Sequence, residues 1–468
     1  MTVPSLRPYQ LTAVNGVRDA FSAGHRAVLL TSPVASGKTM MFSQIASGAH
    51  AKQKCVLILA HRRELIYQIG RALTAWEIPY GKLLGGDKYI PRQSIVVASV
   101  QTALKRIPKL KVPDLIIADE CHRVTSNTAF GKIIKAFPQA RVLGVSASPQ
   151  RTDNTPMSDI FNILVHGPSV AQLVEEGWLP PPEVYAPVSP DLSGVHTRMG
   201  DYVTSELEKA MKPTITGHAV RHYQKIAPGK RAIVFCCSVV HAKNIAQDFN
   251  AAGYNAMHID GDMYDSLRDA ILADFEKGKI QILTTVDIAN EGLDIPGIEV
   301  GILLRPTQSV VIHVQQCGRA MRAAHGKEKA IIIDAAGNCF RHGLPDEDRA
   351  WSLDGVAERK KAGDKPPSVR TCARCFCAHR PSPVCPKCGF VYPIASREVE
   401  QVDGDLQLVT DPKRINMDEL LAEPARAKEY SFLLRKAREK GYKDAWAWHV
   451  VASKEAKRRM KRISGGGG

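Results

Sequence analysis

The sequence predicts an α/β protein of two tandem lobes, each a parallel sheet covered by helices, followed by a small cysteine module and a basic helical tail. Three observations carry that expectation. Short apolar runs recur without alternation, as strands buried on both faces do. The pattern restarts after a proline-dense stretch, which points to a second lobe. Two CxxC pairs then follow beyond residue 370.

In the first lobe the runs are "AVLLT" at 27, "CVLILA" at 55, "SIVVAS" at 94, "LIIAD" at 115 and "RVLGVS" at 141. The segment "GWLPPPEVYAPVSPDLSGV" reads as the hinge, and the runs resume with "AIVFCC" at 232, "AMHID" at 256, "IQILTT" at 280, "VGILL" at 300 and "AIIID" at 330. The expected boundaries are 1–185 for lobe one, 186–350 for lobe two, a linker at 351–370, the cysteine module at 371–393, a second linker at 394–412 and the tail at 413–464. Two helices broken near Gly441 are expected in the tail.

The 468 residues allow two or three domains. The net charge of +16 favours a polyanionic partner, because Lys and Arg displace counterions from phosphates. Residues 351–468 hold 24 Lys/Arg against 15 Asp/Glu, so the excess concentrates at the end. The alternative is a solubilising surface. No apolar run is long enough for a membrane span, and the N-terminus lacks the regions of a signal peptide, so a cytoplasmic address is expected. Eleven cysteines in a chain this long do not make a disulfide framework.

Directly after "AVLLT" comes "TSPVASGKTM", and a helix-like stretch follows it. Strand, loop, helix is the order a phosphate cradle needs, with backbone N–H groups at a helix start facing the anion. Gly37 would let the backbone approach, Lys38 would reach the β and γ phosphates of ATP, and the Thr39 hydroxyl would hold Mg²⁺. Asp119 and Glu120 in "LIIADECH" end a strand where α/β sheets place their ligands. Asp119 can hold Mg²⁺ and Glu120 can deprotonate a water, the alternative being an acidic pair capping the next helix. In "QQCGRAMR", Arg319 and Arg322 stand three apart, on one face of a helix, and can meet charge on a transferring phosphoryl group. Without the other motifs they read as a solvated basic face.

These stretches together resemble a superfamily 2 helicase of DECH spelling. "LRPYQ", "SPVASGKT", "AHRREL", "SVQTA", "DECH" and "SASPQR" are similar to its first-lobe motifs, and "RAIVFCCSVVHA", "TTVDIANEGLDIP" and "QQCGRAMR" to its second-lobe motifs, all in family order. The resemblance implies two RecA-like lobes that bind ATP through Arg7, Gln10, Ser36, Gly37, Lys38, Thr39, Gly292, Asp294 and Gln315. It implies coupling through Ser146 and Ser148, and nucleic-acid contacts at Arg62, Arg63, Gln101, Thr102 and Thr285. Ala35 stands where glycine is commoner, and its Cβ disfavours positive φ. "LRPYQ" with "SASPQR" resembles DNA-directed branches: recombination, branch-migration and repair helicases, restriction-enzyme motors and compact phage relatives. DNA is therefore favoured over RNA, with replication forks and junctions as expected substrates. An RNA helicase and an ATP-gated recruitment platform are the alternatives.

Cys372, Cys375, Cys385 and Cys388 form two CxxC knuckles nine residues apart, the spacing of a four-cysteine Zn²⁺ ribbon. Cys377 or His379 is an alternative ligand. A redox CxxC needs a βαβ context that is absent. The tail mixes Tyr442, Trp446 and Trp448 with "KEAKRRMKR". The aromatics either stack on nucleotides or pin the helix pair together. Ribbon or tail could also bind a protein partner.

Overall fold

The computed structural model describes residues 4–151, 155–186, 190–198, 201–211, 213–286, 297–354, 369–393 and 417–464. Two units separate at Pro393. The first contains both lobes and the cysteine module, and the second contains the tail helices.

Lobe one is a seven-stranded, wholly parallel sheet of β1 (Ala27–Thr31), β2 (Val56–Ala60), β3 (Tyr80–Leu83), β4 (Ile95–Ser99), β5 (Leu115–Asp119), β6 (Arg141–Ser146) and β7 (Ile163–His166). Its order is β3-β4-β2-β5-β6-β1-β7. Around it lie α1 (Pro8–Ser22), α2 (Lys38–Ala51), α3 (Arg63–Ala75), α4 (Val100–Lys105), α5 (Ala129–Ala136) and α6 (Val170–Glu175). The unbroken apolar runs have a simple cause. Leu30, Ile58, Ile117 and Val145 fill the core on one face, while Leu29, Leu59, Ala118 and Val142 fill the other. With both faces covered, no position in the strand is left for a polar side chain. All five expected strands form. The edge strands β3 and β7 are additional; β3 alternates polar and apolar positions because one of its faces is exposed, and β7 has only the short apolar run Ile163 to Val165, half-buried at the sheet edge.

Lobe two comprises β8 (Pro182–Tyr185), a small hairpin of β9 (Thr197–Arg198) and β10 (Asp201–Tyr202), then β11 (Ala232–Phe235), β12 (Ala256–Ile259), β13 (Ile282–Thr285), β14 (Val300–Leu303) and β15 (Ala330–Asp334). Its helices are α7 (Thr204–Ala210), α8 (Pro213–Ile226), α9 (Val239–Ala251), α10 (Asp265–Glu276), α11 (Val310–Ala320) and α12 (Asn338–His342). The sheet runs β12-β13-β11-β14-β15-β8 in parallel.

Two boundaries differ from the sequence expectation. β8 lies inside the proline-dense stretch and pairs with β15, so lobe two already begins near residue 182. Pro182 is tolerated because it is the first residue of its strand. The cysteine module is not a separate bead either. Its strands β16 (Arg370–Thr371) and β17 (Cys377–His379) extend the second sheet antiparallel, with Cys377 opposite Tyr185 and Ala378 opposite Val184. Lys387 of the module and Lys329 beside β15 both hold Glu183 of β8, each at 2.7 Å.

The tail forms α13 (Met417–Leu421), α14 (Pro424–Glu439) and α15 (Ala445–Ser464). The break falls at Gly441, which takes φ +70. Trp446 and Trp448 pack against Leu420, Leu433, Ala447 and Val451, so they pin the helices together. Among the described residues, no helix is long and apolar enough to cross a membrane.

Candidate nucleotide and nucleic-acid site

β1 delivers the chain to the loop 32–37 at the edge of the sheet where β5 and β6 also end. Two serines shape the loop: Ser32 Oγ donates to Ser36 Oγ at 2.7 Å, and Ser36 Oγ donates to the Pro33 carbonyl at 2.7 Å. Ala35 adopts φ +68, the left-handed conformation its Cβ disfavours, so the loop closes as it would with glycine at a cost of about 1–2 kcal/mol. Gly37 is also left-handed, at φ +81, and caps α2. A Cβ there would sit 2.4 Å from Gln10 Nε2.

Lys38 Nζ points back into the loop, donating to the carbonyls of Ser32 at 3.4 Å and Pro33 at 3.2 Å. Burial lowers its pKa; Glu120 and Asp119 oppose that shift, whereas Arg319 and Arg322 reinforce it. The five charged side chains that the sequence singled out thus converge on one place, although they come from both lobes.

Asp119 ends β5 and is buried. Desolvation, then repulsion from Glu120, pushes its carboxyl above the usual range. Glu120 sits at φ +50, and its N–H donates to Asp119 Oδ1 at 3.0 Å. His122, which the sequence reading passed over, joins two motifs. Its Nδ1 lies 3.4 Å from Glu120 Oε2 and 3.3 Å from Ser146 Oγ. Ser146 Oγ in turn donates to the Ser148 carbonyl at 2.9 Å and accepts the Ser148 N–H at 3.1 Å. Ser148 Oγ is buried without a hydrogen-bond partner.

From lobe two, α11 packs straight onto the loop. A Cβ on Gly318 would fall 2.4 Å from Val34 Cβ, so only glycine permits this approach. Gln315 and Arg319 are buried on α11, and Gln315 Nε2 has no hydrogen-bond partner. The expectation that Arg319 and Arg322 share a helix face needs correction. α11 ends at Ala320, and Arg322 follows it outside the helix, after the turn at Met321. Lys327 holds the turn, its Nζ donating to the carbonyls of Arg322 at 2.9 Å, Ile298 at 2.7 Å and Ala320. Burial pulls the Arg322 pKa down to about 10.

At the other end of the loop, Gln10 Nε2 and Tyr9 Oη both donate to the Ser36 carbonyl, at 2.9 and 3.0 Å. The Arg7 guanidinium lies over the Trp178 ring at 4.6 Å, and Trp178 meets Tyr9 edge-on. Trp178 had no sequence signal beyond its place in "GWLP". Thr39 sits in the first turn of α2.

Of the residues the resemblance assigns to nucleic acid, Arg63 and Gln101 are exposed and Arg62 is half-buried. Thr102 and Thr285 are not on the surface. Thr285 ends β13, which is flanked by β12 and β11, and Thr102 faces the core from α4. Arg63 Nη1 pairs with Asp265 on α10 at 3.1 Å, while Arg268 joins Glu64 and Asp265, each at 2.6 Å. Gly292 and Asp294 lie outside the described residues.

The sulfurs of Cys372, Cys375, Cys385 and Cys388 all lie within 4.8 Å of one another. Cys372 and Cys388 are 3.7 Å apart, and Cys375 and Cys385 are 3.8 Å apart. A tetrahedron of Zn–S bonds of about 2.3 Å has S···S edges of about 3.8 Å, so the four thiols fit Zn²⁺. Cys377 faces the sheet, and His379 bonds Tyr392 Oη through Nε2 at 2.8 Å, so neither belongs to the cluster.

Residues 4–151 match the family model of the type III restriction enzyme res subunit, and residues 215–324 match the helicase conserved C-terminal domain. A 51.5 kDa protein of a Lactococcus phage (isolate 7-9) is 33% identical over 388 residues, covering 82% of this chain and 83% of that protein. A Saccharomyces cerevisiae protein named as the ATP-dependent helicase IRC3 is 27% identical over 362 residues, and the match covers 72% of this chain but 52% of the yeast protein. A fragment of an HsdR subunit of a type I restriction enzyme from Vibrio vulnificus shares the fold, with TM-score 0.61 at 22% identity, covering 74% of this chain and 67% of the fragment. With the motifs in order on two parallel-sheet lobes and the relatives alike over most of the chain, the chain belongs to the superfamily 2 helicases, enzymes that hydrolyse ATP and act on nucleic acid.

Proposed function

We propose that this helicase is a DNA-directed motor that remodels forks, junctions or duplexes, driven by hydrolysis of ATP between the lobes. The observation that carries the reading is the convergence of Lys38 with Asp119, Glu120, Arg319 and Arg322. Three cations, Arg319 buried and Lys38 and Arg322 half-buried, against two carboxylates make a pocket suited to a triphosphate. The loop amides and Lys38 hold the β and γ phosphates, and Gln10 and Arg7, backed by Trp178, hold the base. Thr39 and Asp119 would hold Mg²⁺, whose charge offsets that on the phosphate oxygens. Glu120 takes a proton from water as the water oxygen bonds the γ phosphorus and the bond to the ADP oxygen breaks. Arg319 and Arg322 stabilise the charge on the transferring group, with Gln315 beside them.

His122 and Ser146 link Glu120 to the segment around Ser148, and so carry the state of the site to the rest of lobe one. Arg62, Arg63 and Gln101 grip the phosphate backbone, which gives no sequence preference. The DNA assignment is supported by the restriction-enzyme family model over lobe one and by the spelling of "LRPYQ" and "SASPQR". Zn²⁺ held by the four cysteines folds the ribbon, whose outer surface is available to a protein partner.

The test is steady-state ATPase of the zinc-loaded protein against single-stranded DNA, forked DNA, a four-way junction and single-stranded RNA, with Lys38→Ala as the blank. Stimulation by DNA structures and not by RNA is expected. Stimulation by RNA alone overturns the DNA assignment, and none at all overturns the motor.

A further inference from the structure

On the tail, Glu429 of α14 and the neighbouring Glu423, Asp444 and Glu455 are taken up by internal ion pairs, while Glu439 at the end of α14 is exposed. Glu423 and Glu455 both hold Arg426, at 3.0 and 2.9 Å, Glu429 holds Lys454 at 2.5 Å, and Asp444 holds Arg438 at 2.9 Å. Lys428, Arg435 and Lys436 are exposed, and among the described residues they have no carboxylate partner. Between them stands Phe432, 58% exposed. Positions 428, 432, 435 and 436 are spaced i, i+4, i+7 and i+8, so they form one stripe along the helix. The opposite face, through Leu433 and Ala437, is buried in the tail's own small core. Thus Phe432 stands outside the tail's core cluster, framed by three cations, with Glu439 the acidic residue that follows on the same stripe.

We infer that this face of α14 is a second nucleic-acid site, one that takes single strands, with an unpaired base stacked on Phe432 and phosphates on Lys428, Arg435 and Lys436. Two chemical facts select that occupant. Cations without carboxylate partners favour a polyanion, through release of its condensed counterions. An exposed ring beside phosphate-binding cations offers a face on which an unstacked base can stack, and a duplex keeps its bases stacked on each other. The inference takes from the motor reading only the kind of polyanion. It places the aromatic contact at Phe432, since Trp446 and Trp448 are engaged in the tail core.

The experiment uses the full, zinc-loaded chain without nucleotide. A fluorescein-labelled single-stranded oligonucleotide and the matching duplex are titrated by anisotropy over a series of salt concentrations. Replacing Lys428, Arg435 and Lys436 together by alanine should weaken binding of the single strand at least tenfold. It should also reduce the magnitude of the log K against log salt slope by about 2, at roughly 0.7 per phosphate. Phe432→Ala should weaken the single strand by about tenfold, leave the duplex and the salt slope unchanged, and be rescued by Phe432→Trp. Unaltered helical circular dichroism shows that the tail remains folded in each variant.

Unchanged affinity in both variants overturns the inference. So does equal loss for single strand and duplex on Phe432→Ala, or competition by polyglutamate as effective as that by unlabelled oligonucleotide. ATPase without nucleic acid should be the same in every variant. If no nucleic acid stimulates the wild-type ATPase while the tail variants still weaken binding, the motor reading fails and this one stands. Stimulation that survives with binding indifferent to the tail variants gives the reverse.

Discussion

Arg63 of α3 and Asp265 of α10, 202 residues apart in the chain, meet at 3.1 Å and tie lobe one to lobe two. Arg63 also stacks on Tyr67, and the proposed function gives it a contact to the phosphate backbone. A phosphate arriving there competes with Asp265 for the same guanidinium. Both partners are more than half exposed, so solvent screens the pair and it holds the lobes only weakly. Asp265→Asn should therefore tighten nucleotide-free binding of single strands by about two- to fivefold, measured by anisotropy at low salt. Unchanged affinity would show that Arg63 does not reach the strand.

Glu120 is held in a left-handed conformation directly after the strand that ends in Asp119. Glu120→Gln keeps the shape and removes the base. It should bind ATP with near-normal affinity and lower turnover by about 10² or more. A kcat within a fewfold of wild type refutes the role given to Glu120.

Ala35 and Gly37 share the left-handed region for opposite outcomes. Ala35→Gly relieves about 1–2 kcal/mol of backbone strain and loses part of it to the freer unfolded chain, so the unfolding midpoint should rise by about 1–3 °C. Gly37→Ala, by contrast, drives a methyl into the Gln10 amide and should raise KM for ATP at least tenfold while the fold persists. Calorimetry and ATPase kinetics distinguish the two.

Chelating the metal, or replacing Cys385 by Ser, should unzip β17 from β8 and leave an open sheet edge on lobe two. The expected result is a lower unfolding midpoint for lobe two and concentration-dependent aggregation, with ADP binding at the loop of lobe one retained. A chelated protein with unchanged melting and solubility would show that the ribbon folds without metal.

Burial pulls His241 down to about 4 and holds His313 and His342 below their ordinary value. These rings are neutral in the folded lobe, whereas in the unfolded chain they take a proton near 6.5. Stability is complete above about pH 6.5 and is lost as pH falls toward about 4, by roughly 2–4 kcal/mol for His241 alone. The midpoint at pH 5 should lie below that at pH 7.5, and His241→Gln should narrow the gap.

Both sheets were legible because a strand covered on two faces has to be apolar throughout, as in "AVLLT" and "AIIID". The nucleotide residues were legible because a phosphate cradle needs specific residue types at fixed offsets. β8 was hidden by its prolines, β3 by its half-exposed face and β7 by the shortness of its apolar run. The places of Trp178, Lys327 and His122 depend on tertiary contacts made by carbonyls, rings and hydroxyls distant in sequence, which no local pattern encodes. The inward turn of Thr285 is likewise a property of the assembled sheet.

The junction of β8 with β17 also imposes an order of events in time. Their paired residues, Tyr185 and Cys377, are roughly 190 residues apart, so a ribosome needs on the order of 10–40 seconds to pass from one to the other. Throughout that interval the nascent chain can present the bare backbone of β8 to any neighbouring strand, and the segment that covers it is made only after both lobes. Abundance in a cell short of metal would then be set during synthesis, before the motor has met its first substrate.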